Sequence, residues 1–447
     1  MFSKILIANR GEIAVRILRA CREMGINTVA VYSEVDRDAL HVSLADEGYC
    51  IGPPAAADSY LNQSAILTVA AAAGAEAIHP GYGLLSENAE FADLCRQCGI
   101  AFIGPAPEVI AKMGDKEEAK RTMQGACVPV IPGCGLVADL EEAEIRALEI
   151  GYPLLVKARA GGGGRGIRLV KTGGELKGAF LSASEEARSA FGDGGVYLEK
   201  YLDHVKHIEV QLLCDNFGNV VCLGERECSL QRKNQKLLEE SPSPAICGDM
   251  RERLTEASVK AARAVGYTGA GTVEFLVDGE GAFYFMEMNT RLQVEHPVTE
   301  MVTGIDIVKW QIRIASGLPL DFTQSDVSLR GHSIECRINA ENPAAGFRPG
   351  GGRVSLLHVP GGPWVRFDTA LYQDYMVPPY YDSMIGKLIV HAGTRQEALR
   401  KMRAALCELT IEGVDCNRDF QLELLQSDAF QSGNYTTGFI KSGGLND

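Results

Sequence analysis

The first part of the chain constrains the fold most, because it places two buried strands around one amphipathic helix. An apolar run, KILIANR (4–10), precedes the helical pattern EIAVRILRACREMG (12–25), and TVAVYS (28–33) is a second strand of the buried type. Gly25 is the kind of residue that commonly ends a helix. A strand, a helix and a strand in succession predict a parallel sheet. The turn NRGEIA lacks the G-x-G-x-x-G fingerprint, so dinucleotide binding is not indicated.

The alternation of helix and strand continues to about residue 115 and then changes. A helix (62–73), a strand (76–80), a helix (87–99) and a strand (100–104) complete an α/β domain over residues 1–115. Two helices (116–125 and 139–149) follow, and strands dominate after them up to a helix at 251–265, a strand pair and a helix at 304–316. From about 331 the chain is a mixed region with many Gly and Pro. We therefore expect further domains at 116–330 and 331–447.

Composition excludes several classes of partner. The 44 basic and 58 acidic residues give a net charge of −14, which argues against a nucleic-acid or anionic-membrane binder. The N-terminus MFSKILIANRGEIAV lacks a signal-peptide pattern, and no apolar run is long enough to span a bilayer. The 13 cysteines are scattered, with one C-x-x-C at Cys95 and Cys98 and no second pair at zinc-site spacing. These features predict reduced thiols and a cytoplasmic location.

A glycine-rich loop lies between two strand-like runs in KARAGGGGRGIRLVK (157–171). Backbone without side chains can approach phosphate oxygens closely and offer its N–H groups to them. The Walker pattern is absent and a strand follows the glycines, so a hairpin lid over a nucleotide fits better than a P-loop. A surface loop with no ligand is the alternative, and the glycines alone do not decide between the two.

A hairpin of TVEFLV (272–277) and FYFMEMN (283–289) brings carboxylates together. If its DGEGA turn centres between residues 280 and 281, Glu274 lies opposite Glu287, and Asn289 follows on the same face. Two opposed carboxylates repel, so a hard cation such as Mg²⁺, completed by phosphate oxygens, is the natural compensation. A solvated edge face with lysines nearby is the alternative interpretation.

The alternation of this strand continues through Arg291, Gln293 and Glu295. Arginine can clamp a small planar oxyanion with two hydrogen bonds, glutamine can orient it, and a neighbouring carboxylate can act as a general base. A cation site, an anion clamp and a base in succession indicate phosphoryl or carboxyl transfer. His296 is off this alternation and precedes Pro297, so we expect it to be structural.

The strand HIEVQLL (207–213) alternates in the same way. His207, Glu209 and Gln211 share one face, and Ile208, Val210 and Leu212 share the other. His207 could contact a nucleotide, although a lone histidine is more often structural. The basic and amide run from Gln231 to Lys236 is of a kind that usually forms a solvated face.

Taken together, these residues resemble the biotin carboxylase subunits of bacterial acetyl-CoA carboxylases, which have the ATP-grasp fold. The resemblance runs from end to end and is carried by KILIANRGEIAVRILRA, HPGYGLLSENAEFA, MGDK, KARAGGGGRG, EKYL, HIEVQ, GERECSLQRKNQK, EMNTRLQVEHPVTE, IECRINAE and PPYYDSMIGKL. The sequence ends near 447 without a carrier domain or an M-K-M biotinylation motif, which resembles the free-standing subunit.

The resemblance implies an α/β and α+β architecture: a Rossmann-like N-terminal domain, an ATP-grasp domain with a mobile lid at about 129–202, and a mixed C-terminal domain. It implies that ATP, with magnesium or manganese at two metal positions, drives carboxylation of biotin by bicarbonate through carboxyphosphate. The biotin would be carried on biotin carboxyl carrier protein and not attached to this chain. Carboxyltransferase subunits and a homodimer are the other implied partners, with no nucleic acid and no membrane.

The resemblance also assigns residues. The ATP-binding set is Lys116, Lys157, Gly163, Gly164, Glu199, Lys200, Tyr201, Leu202, His207, Gln231, Asn234, Glu274 and Glu287. Glu274, Glu287 and Asn289 match the metal ligands, and the bicarbonate site is matched by Lys236, Arg291, Gln293, Val294 and Glu295. Tyr82, Gly83 and Arg337 match the biotin pocket. Lys236, Arg291, Glu295 and Arg337 would be catalytic, with Glu295 as the base and Arg337 stabilising the biotin enolate.

Two departures from the family pattern affect the nucleotide site. Arg159-Ala160 stand where Ser-Gly is usual, and Asn234 stands where histidine is frequent. We expect ATP binding to survive both. Arg19 and Glu23 lie four residues apart on the first helix, on the surface that the family uses for its dimer. An ordinary intrahelical pair would explain them equally well.

Three other functions remain open at this point. The chain could serve another acyl-CoA, pyruvate or urea carboxylase, since partner subunits decide the acceptor. It could be a different ATP-grasp ligase, such as a carbamoyl-phosphate or purine-pathway enzyme, but RLQVEHPVTE and PPYYDSMIGKL argue against this. A non-enzymatic binding protein on the same fold would be expected to lose Glu274, Glu287, Arg291 or Glu295, and all four are present.

Overall fold

The N-terminal part of the computed structural model is a five-stranded parallel sheet with helices around it. The structure describes residues 1–158, 167–191 and 194–441. The strands are β1 (Lys4–Ile7), β2 (Asn27–Ser33), β3 (Glu47–Gly52), β4 (Ala77–His79) and β5 (Ala101–Phe102). The helices are α1 (Gly11–Glu23), α2 (Leu40–Leu44), α3 (Gln63–Ala73), α4 (Ala89–Gln97) and α5 (Pro107–Gly114). The strand order is β3-β2-β1-β4-β5 with every pair parallel, which confirms the parallel sheet predicted from the first strand–helix–strand unit.

A second unit is a small antiparallel sheet covered by two helices. Its elements, with the helix that leads into it, are α6 (Lys116–Gly125), β6 (Gly133–Val137), α7 (Leu140–Ile150), β7 (Leu154–Ala158), β8 (Ile167–Val170), α8 (Gly173–Phe191) and β9 (Val196–Lys200). The strand order is β6-β9-β7-β8. β7 and β8 pair antiparallel from Leu154–Val170 to Lys157–Ile167, so the glycine run joins the two strands of a hairpin, as predicted. The predicted phosphate contacts Gly163 and Gly164, and the departure Arg159-Ala160, lie outside the described residues.

The remainder of the chain is organised around one eight-stranded antiparallel sheet of order β14-β13-β10-β11-β12-β15-β22-β20. Its central part contains β10 (Lys206–Cys214), β11 (Val220–Arg232), β12 (Gln235–Ser241), α9 (Gly248–Val265), β13 (Gly269–Val277), β14 (Phe283–Asn289), α10 (His296–Thr303) and α11 (Ile307–Ala315). Its C-terminal part contains β15 (His332–Asn339), β16 (Glu341–Asn342), β17 (Arg348–Pro349), β18 (Gly352–Arg353), β19 (Leu356–His358), β20 (Val365–Thr369), β21 (Met376–Val377), β22 (Met384–Ala392), α12 (Arg395–Glu408), β23 (Thr410–Glu412), α13 (Arg418–Gln426) and α14 (Asp428–Ser432).

The two faces of this sheet differ in polarity, and the difference positions the site. Ile208, Val210 and Leu212 pack into the apolar core that includes α9. Glu209 and Gln211 project to the opposite face and are also fully buried, so the face assignment predicted for HIEVQLL is confirmed. α10 packs against β11, β12, β15 and β22. A helix therefore covers polar strand residues, which need internal hydrogen-bond partners because water is excluded.

Three sequence expectations need correction or extension. α8 was not predicted, although Leu176, Phe180, Ala183 and Ala187 are buried at helical spacing and carry its signal. The region after 331 contains a nine-residue strand and a 14-residue helix, so it is more regular than its Gly and Pro content indicated. The main sheet also runs through the predicted boundary at 330–331, since β12 pairs with β15. The division into three domains stays a prediction.

In the described ranges, none of the helices combines the length and the apolarity needed to cross a membrane.

A buried ion cluster ties β12 to the C-terminal helices. The Glu240 carboxylate accepts hydrogen bonds from His332 Nε2 at 2.6 Å, Arg395 Nε at 2.7 Å and the Tyr435 hydroxyl at 2.6 Å. Burial opposes ionisation of Glu240, but the hydrogen bonds from His332 and Arg395 outweigh it and lower its pKa from 4.5 to about 2.

We expect the Glu240→Gln variant to unfold more easily by about 3 kcal/mol at neutral pH, the value of a pKa shift of this size. Because the folded-state pKa is depressed, the contribution is complete above the unfolded value of 4.5 and is lost as the pH falls toward 2. Thermal unfolding midpoints of both proteins between pH 7 and pH 3 measure this. The matched control is Glu256→Gln, which breaks an exposed pair with Lys260 and should leave the midpoint nearly unchanged. Equal midpoints for Glu240→Gln and wild type at pH 7 would contradict the prediction.

Candidate active site

Two glutamates face each other across β13 and β14. Glu274 pairs with Glu287 in the ladder, as predicted. The register that produces this pair differs from the predicted one. The turn centres on Glu280 and not between residues 280 and 281, so that Phe275 pairs with Phe285. A bulge at Met286 then shifts the register by one residue and brings Glu287 opposite Glu274.

Glu274 is the most heavily hydrogen-bonded carboxylate of the site. It accepts from His207 Nε2 at 2.7 Å, Lys236 Nζ at 3.0 Å, Asn289 Nδ2 at 2.9 Å and Gln293 Nε2 at 2.7 Å. Burial disfavours its charge, but Lys236 and His207 outweigh burial and hold its pKa well below the usual range. Glu274 is therefore ionised at neutral pH.

Glu287 has a different environment on the opposing strand. Burial and, to a lesser extent, repulsion from Glu274 raise the pKa of Glu287, and Lys116 is the largest influence that lowers it. In the described part of the chain no hydrogen bond reaches its carboxylate, whereas Asn289 Oδ1 accepts from Arg291 at 3.0 Å and an amide oxygen has a second lone pair. Two carboxylates and an amide oxygen match the ligand preferences of Mg²⁺. A cation here would lower the pKa of Glu287.

The segment after Asn289 is not a strand, which corrects the expectation that its alternation continues. β14 ends at Asn289, and α10 begins at His296. The side chains of the intervening loop nevertheless reach the site. Gln293 Nε2 donates to Glu274, its Oε1 accepts from Arg226 at 2.8 Å, and Arg291 Nε donates to Glu87 at 2.8 Å. His296 is buried with Nδ1 at 2.8 Å from the Gln293 carbonyl, which agrees with the expected structural role, and that role stays a prediction.

Glu295 is a buried carboxylate held between two cations. Its Oε1 lies 2.6 Å from Lys236 Nζ, and its Oε2 lies 2.9 Å from Arg337 Nη2. Burial opposes its charge, but Lys236 and Arg337 outweigh burial and hold its pKa well below the usual range. Arg337 is in turn held by Glu239, which accepts from its Nε at 2.6 Å. Glu295 is thus an ionised carboxylate with both oxygens engaged, and its assignment as the base stays a prediction.

The Lys236 ammonium joins three carboxylates from different parts of the fold. It contacts Glu209 at 2.6 Å, Glu274 at 3.0 Å and Glu295 at 2.6 Å. Burial disfavours the ammonium, but these carboxylates outweigh burial and raise its pKa well above the usual value. The expectation that residues 231–236 form a solvated face is therefore wrong for Lys236. Lys233 and Asn234 are exposed and form the turn of the β11–β12 hairpin with positive φ.

The residues assigned to the nucleotide come from α6, the small antiparallel sheet and the main sheet. Glu199 on β9 pairs with Lys157 on β7 and with Lys120 on α6, the latter at 2.5 Å. The pKa of Glu199 is lowered because the attraction of the two lysines outweighs the effect of burial. Lys116 is exposed at the start of α6, and Gln231 Nε2 lies 2.6 Å from His207 Nδ1.

Lys200 is turned away from this group, since its ammonium donates to the carbonyls of Gly151 at 3.2 Å and Tyr152 at 3.0 Å. Tyr201 and Leu202 follow directly after β9 and are half-buried. The roles given to these residues stay predictions.

The residues assigned to biotin come from the first and last parts of the chain. Tyr82 donates its hydroxyl proton to Glu12, and its carbonyl accepts from Asn9 Nδ2 at 2.8 Å. Gly83 has a φ of +64°, a conformation that glycine adopts without strain. Arg337 lies on β15 beside Glu295. The biotin role of the three stays a prediction.

Several residues that complete the site were not predicted from the sequence. Arg226 is fully buried and donates to Glu209, to Gln211 Oε1 at 2.7 Å and to Gln293 Oε1 at 2.8 Å. Glu87 and Glu239 hold the two arginines Arg291 and Arg337. The charged residue Arg226 within the strand-like VVCLGER was an available signal, because a charge in a central strand requires a partner.

Three family models match successive parts of the chain. "Biotin carboxylase, N-terminal domain" matches residues 1–110, "Carbamoyl-phosphate synthase L chain, ATP binding domain" matches 115–323, and "Biotin carboxylase C-terminal domain" matches 335–442.

Full-length similarity accompanies these matches. The chain is 56% identical to biotin carboxylase 1 of Bacillus subtilis over 444 residues, covering 99% of each chain. It is 54% identical to a pyruvate carboxylase subunit of Methanothermobacter thermautotrophicus over 441 residues, covering 98% of this chain and 90% of that one. The biotin carboxylase domain dimer of Hydrogenobacter thermophilus 2-oxoglutarate carboxylase, solved with MgADP, ADP and bicarbonate, superposes with a TM-score of 0.93 at 51% identity, covering 99% and 98% of the two chains.

The contacts of Lys236 lead to a direct test of the site. We expect Lys236→Met to lower turnover by about 100-fold or more, because it leaves three buried carboxylates without their shared cation. Steady-state ATP hydrolysis with saturating co-substrates measures the effect. Lys233→Met is the matched control, since Lys233 lies exposed in the turn of the same hairpin and should keep wild-type turnover. A folded Lys236→Met protein with wild-type turnover would show that these contacts are dispensable.

Proposed function

The chain belongs to the biotin carboxylase family, and from this premise we propose that it is the biotin carboxylase component of an acetyl-CoA carboxylase. It is an ATP-dependent ligase that carboxylates biotin with bicarbonate. The observation that carries the proposed activity is the ionised Glu295 between Lys236 and Arg337, beside the opposed pair Glu274 and Glu287. An anion clamp, a base and a cation site in contact meet the needs of a reaction that phosphorylates bicarbonate.

We propose that bicarbonate binds where Lys236 and Arg291 can reach it, with Gln293 and Val294 orienting it. The entering anion would compete with Glu295 for Lys236 and Arg337. Because those cations hold the Glu295 pKa down, their diversion to bicarbonate would raise it. Glu295 then accepts the bicarbonate proton as the bicarbonate oxygen attacks the γ-phosphorus of ATP, which forms carboxyphosphate and releases ADP.

We propose that Glu274, Glu287 and Asn289 hold the magnesium or manganese that accompanies ATP, and a bound cation would neutralise phosphate charge during transfer. Lys116, Lys157, Gly163 and Gly164 would contact the phosphates. Glu199, Lys200, Tyr201 and Leu202 would form the adenine side, with His207, Gln231 and Asn234 toward the ribose. The Lys157 ammonium is already oriented by Glu199, which supports a role at the phosphates.

We propose that Tyr82, Gly83 and Arg337 receive biotin. Carboxyphosphate would yield carbon dioxide and phosphate beside it, and phosphate would take the N1 proton so that N1 attacks carbon dioxide. Arg337 would stabilise negative charge on the ureido oxygen. Its guanidinium is fixed by Glu239 and Glu295, so it is oriented before biotin arrives.

The remaining features of the proposal concern assembly. We propose that the substrate is biotin on a carrier protein, that carboxyltransferase subunits complete the enzyme, and that the domains are 1–115, 116–330 with a lid at about 129–202, and 331–447. A cytoplasmic location agrees with the thirteen free cysteines.

A second candidate function is that of the biotin carboxylase component of a pyruvate or other oxo-acid carboxylase, which the similarity to Methanothermobacter and Hydrogenobacter proteins supports. Copurified partner subunits would discriminate, because the acceptor is chosen by them.

The activity itself is tested by phosphate release from ATP with and without free biotin and bicarbonate. We expect release to require bicarbonate and to be stimulated by biotin. Glu295→Gln should lower bicarbonate-dependent turnover by about 100-fold or more, the usual value of a positioned base, and keep MgATP binding. Glu280→Gln, in the exposed turn of the β13–β14 hairpin, is the control and should behave as wild type. Wild-type protein without biotin-stimulated turnover would refute the function, and a fully active Glu295→Gln would refute only the role of Glu295.

We also propose a homodimer that uses the surface of α1. Arg19 is exposed on this helix, and Glu23 pairs with Lys309 on α11 at 2.5 Å, so the two residues do not form the intrahelical pair that was the alternative interpretation. We expect sedimentation at micromolar concentration to give a dimer and Arg19→Glu to shift it toward monomer. Arg37→Glu, an exposed arginine outside α1, is the control. A wild-type protein that sediments only as monomer would contradict the proposal.

A further inference from the structure

A fully buried lysine lies where three parts of the chain meet, and none of the roles assigned above uses it. Lys387 is on β22, directly across the ladder from Arg337 on β15 and from Asp368 on β20. Its side chain has no exposed surface. An ammonium without water must be paired or hydrogen-bonded, because an isolated buried charge is strongly unfavourable.

The partners of Lys387 belong to the other two parts of the chain. Nζ donates to the backbone carbonyl of Val294 at 2.7 Å and lies 3.1 Å from the Glu12 carboxylate on α1. Val294 immediately precedes Glu295 and is one of the residues proposed to bind bicarbonate. The preceding carbonyl, of Gln293, is held by His296 Nδ1 at 2.8 Å. Two consecutive carbonyls of the loop are thus fixed by buried side chains.

Glu12 extends the contact to the proposed biotin pocket. Its carboxylate accepts the hydroxyl proton of Tyr82, and the ring of Tyr82 lies 5.9 Å from Lys387 Nζ. Asn9 Nδ2 holds the Tyr82 carbonyl at 2.8 Å and the Pro80 carbonyl at 2.6 Å. A continuous series of contacts therefore runs from Tyr82 through Glu12 and Lys387 to the Val294 carbonyl.

From this series we propose that Lys387 is a positioning residue that holds the bicarbonate loop and the biotin pocket in one frame. The proposal rests on the proposed function. Lys387 touches neither substrate. Its hydrogen bond fixes the Val294 carbonyl and thereby the position of Glu295 relative to bicarbonate. Its ion pair with Glu12 fixes the position of Tyr82 in the proposed biotin pocket. The series does not include the residues assigned to ATP, so Lys387 should affect two substrates and leave the third alone.

The test is the separate Michaelis constant of each substrate in Lys387→Met, which keeps length and removes the charge. We expect KM for bicarbonate and for free biotin each to rise by about tenfold, the effect of losing a hydrogen bond from a charged donor. KM for ATP should stay within twofold of wild type. A residue with only a structural role would lower the folded fraction, and so the maximal rate, with all three KM values unchanged.

Two further variants keep the test decisive. If Lys387→Met does not fold, Glu12→Gln removes the same ion pair with little change of shape. It should raise KM for free biotin by a similar factor and KM for bicarbonate by less, because Lys387 keeps its hydrogen bond to the Val294 carbonyl. Lys401→Met is the control, because Lys401 on α12 also donates to two backbone carbonyls, of His391 at 2.8 Å and Pro363 at 3.1 Å, and neither residue is assigned to a substrate. It should leave all three KM values unchanged.

The outcomes separate the two proposals. Wild-type protein without biotin-stimulated, bicarbonate-dependent turnover would overturn the proposed function and this inference with it. An active wild type with unchanged bicarbonate and biotin KM in the folded variant would overturn only the role of Lys387. A rise of KM for ATP as large as the other two would also overturn it, because the effect would then not be confined to the frame.

Discussion

The candidate active site depends on one side-chain ammonium group, that of Lys236, which three buried carboxylates share. Glu209 comes from β10, Glu274 from β13 and Glu295 from the loop before α10, and Lys236 on β12 contacts all three. Three carboxylates this close would not stay ionised without a cation, since each would raise the proton affinity of the others. Lys236 therefore fixes the charge state of Glu274 and Glu295, and the other contacts of the site are arranged around that charge.

The same constraint explains why a helix covers polar strands. Arg226, Glu209, Gln293 and Glu274 form a buried hydrogen-bonded group under the loop that leads into α10. Such a group confers little net stability, because desolvation offsets much of its attraction, but it orients every member. A preorganised set of charges is what a reaction between two anions requires. Substrate binding would replace some of these internal ion pairs with contacts to bicarbonate and phosphate. In the free enzyme the cationic side chains Lys236 and Arg337 are therefore already paired with carboxylates.

The strand faces and the β13–β14 hairpin could be predicted from the local sequence pattern. The contacts of the loop before α10 and of Lys236 could not, because they depend on residues far apart in sequence. The alternation in HIEVQLL predicted correctly which side chains share a face of the sheet. The hairpin pattern predicted correctly that Glu274 lies opposite Glu287. That pairing also needed the bulge at Met286, because the turn is one residue shorter than predicted. The loop from Thr290 to Glu295 could not be predicted from periodicity, because contacts with Glu87 and Arg226 hold it and those lie far away in sequence. Lys236 in an apparently solvated run shows the same limit, since only the fold brings its three partners together.

In the proposed reaction, this site joins bicarbonate to the γ-phosphoryl group of ATP before biotin reacts. The direct measurement is the fate of oxygen from ¹⁸O-labelled bicarbonate in unlabelled water, followed by mass spectrometry of the phosphate released during early turnover with biotin. Formation of carboxyphosphate predicts that one bicarbonate oxygen appears in each phosphate. Phosphate that is released at the full rate without the label, with its new oxygen coming from water, would show that carboxyphosphate is not formed.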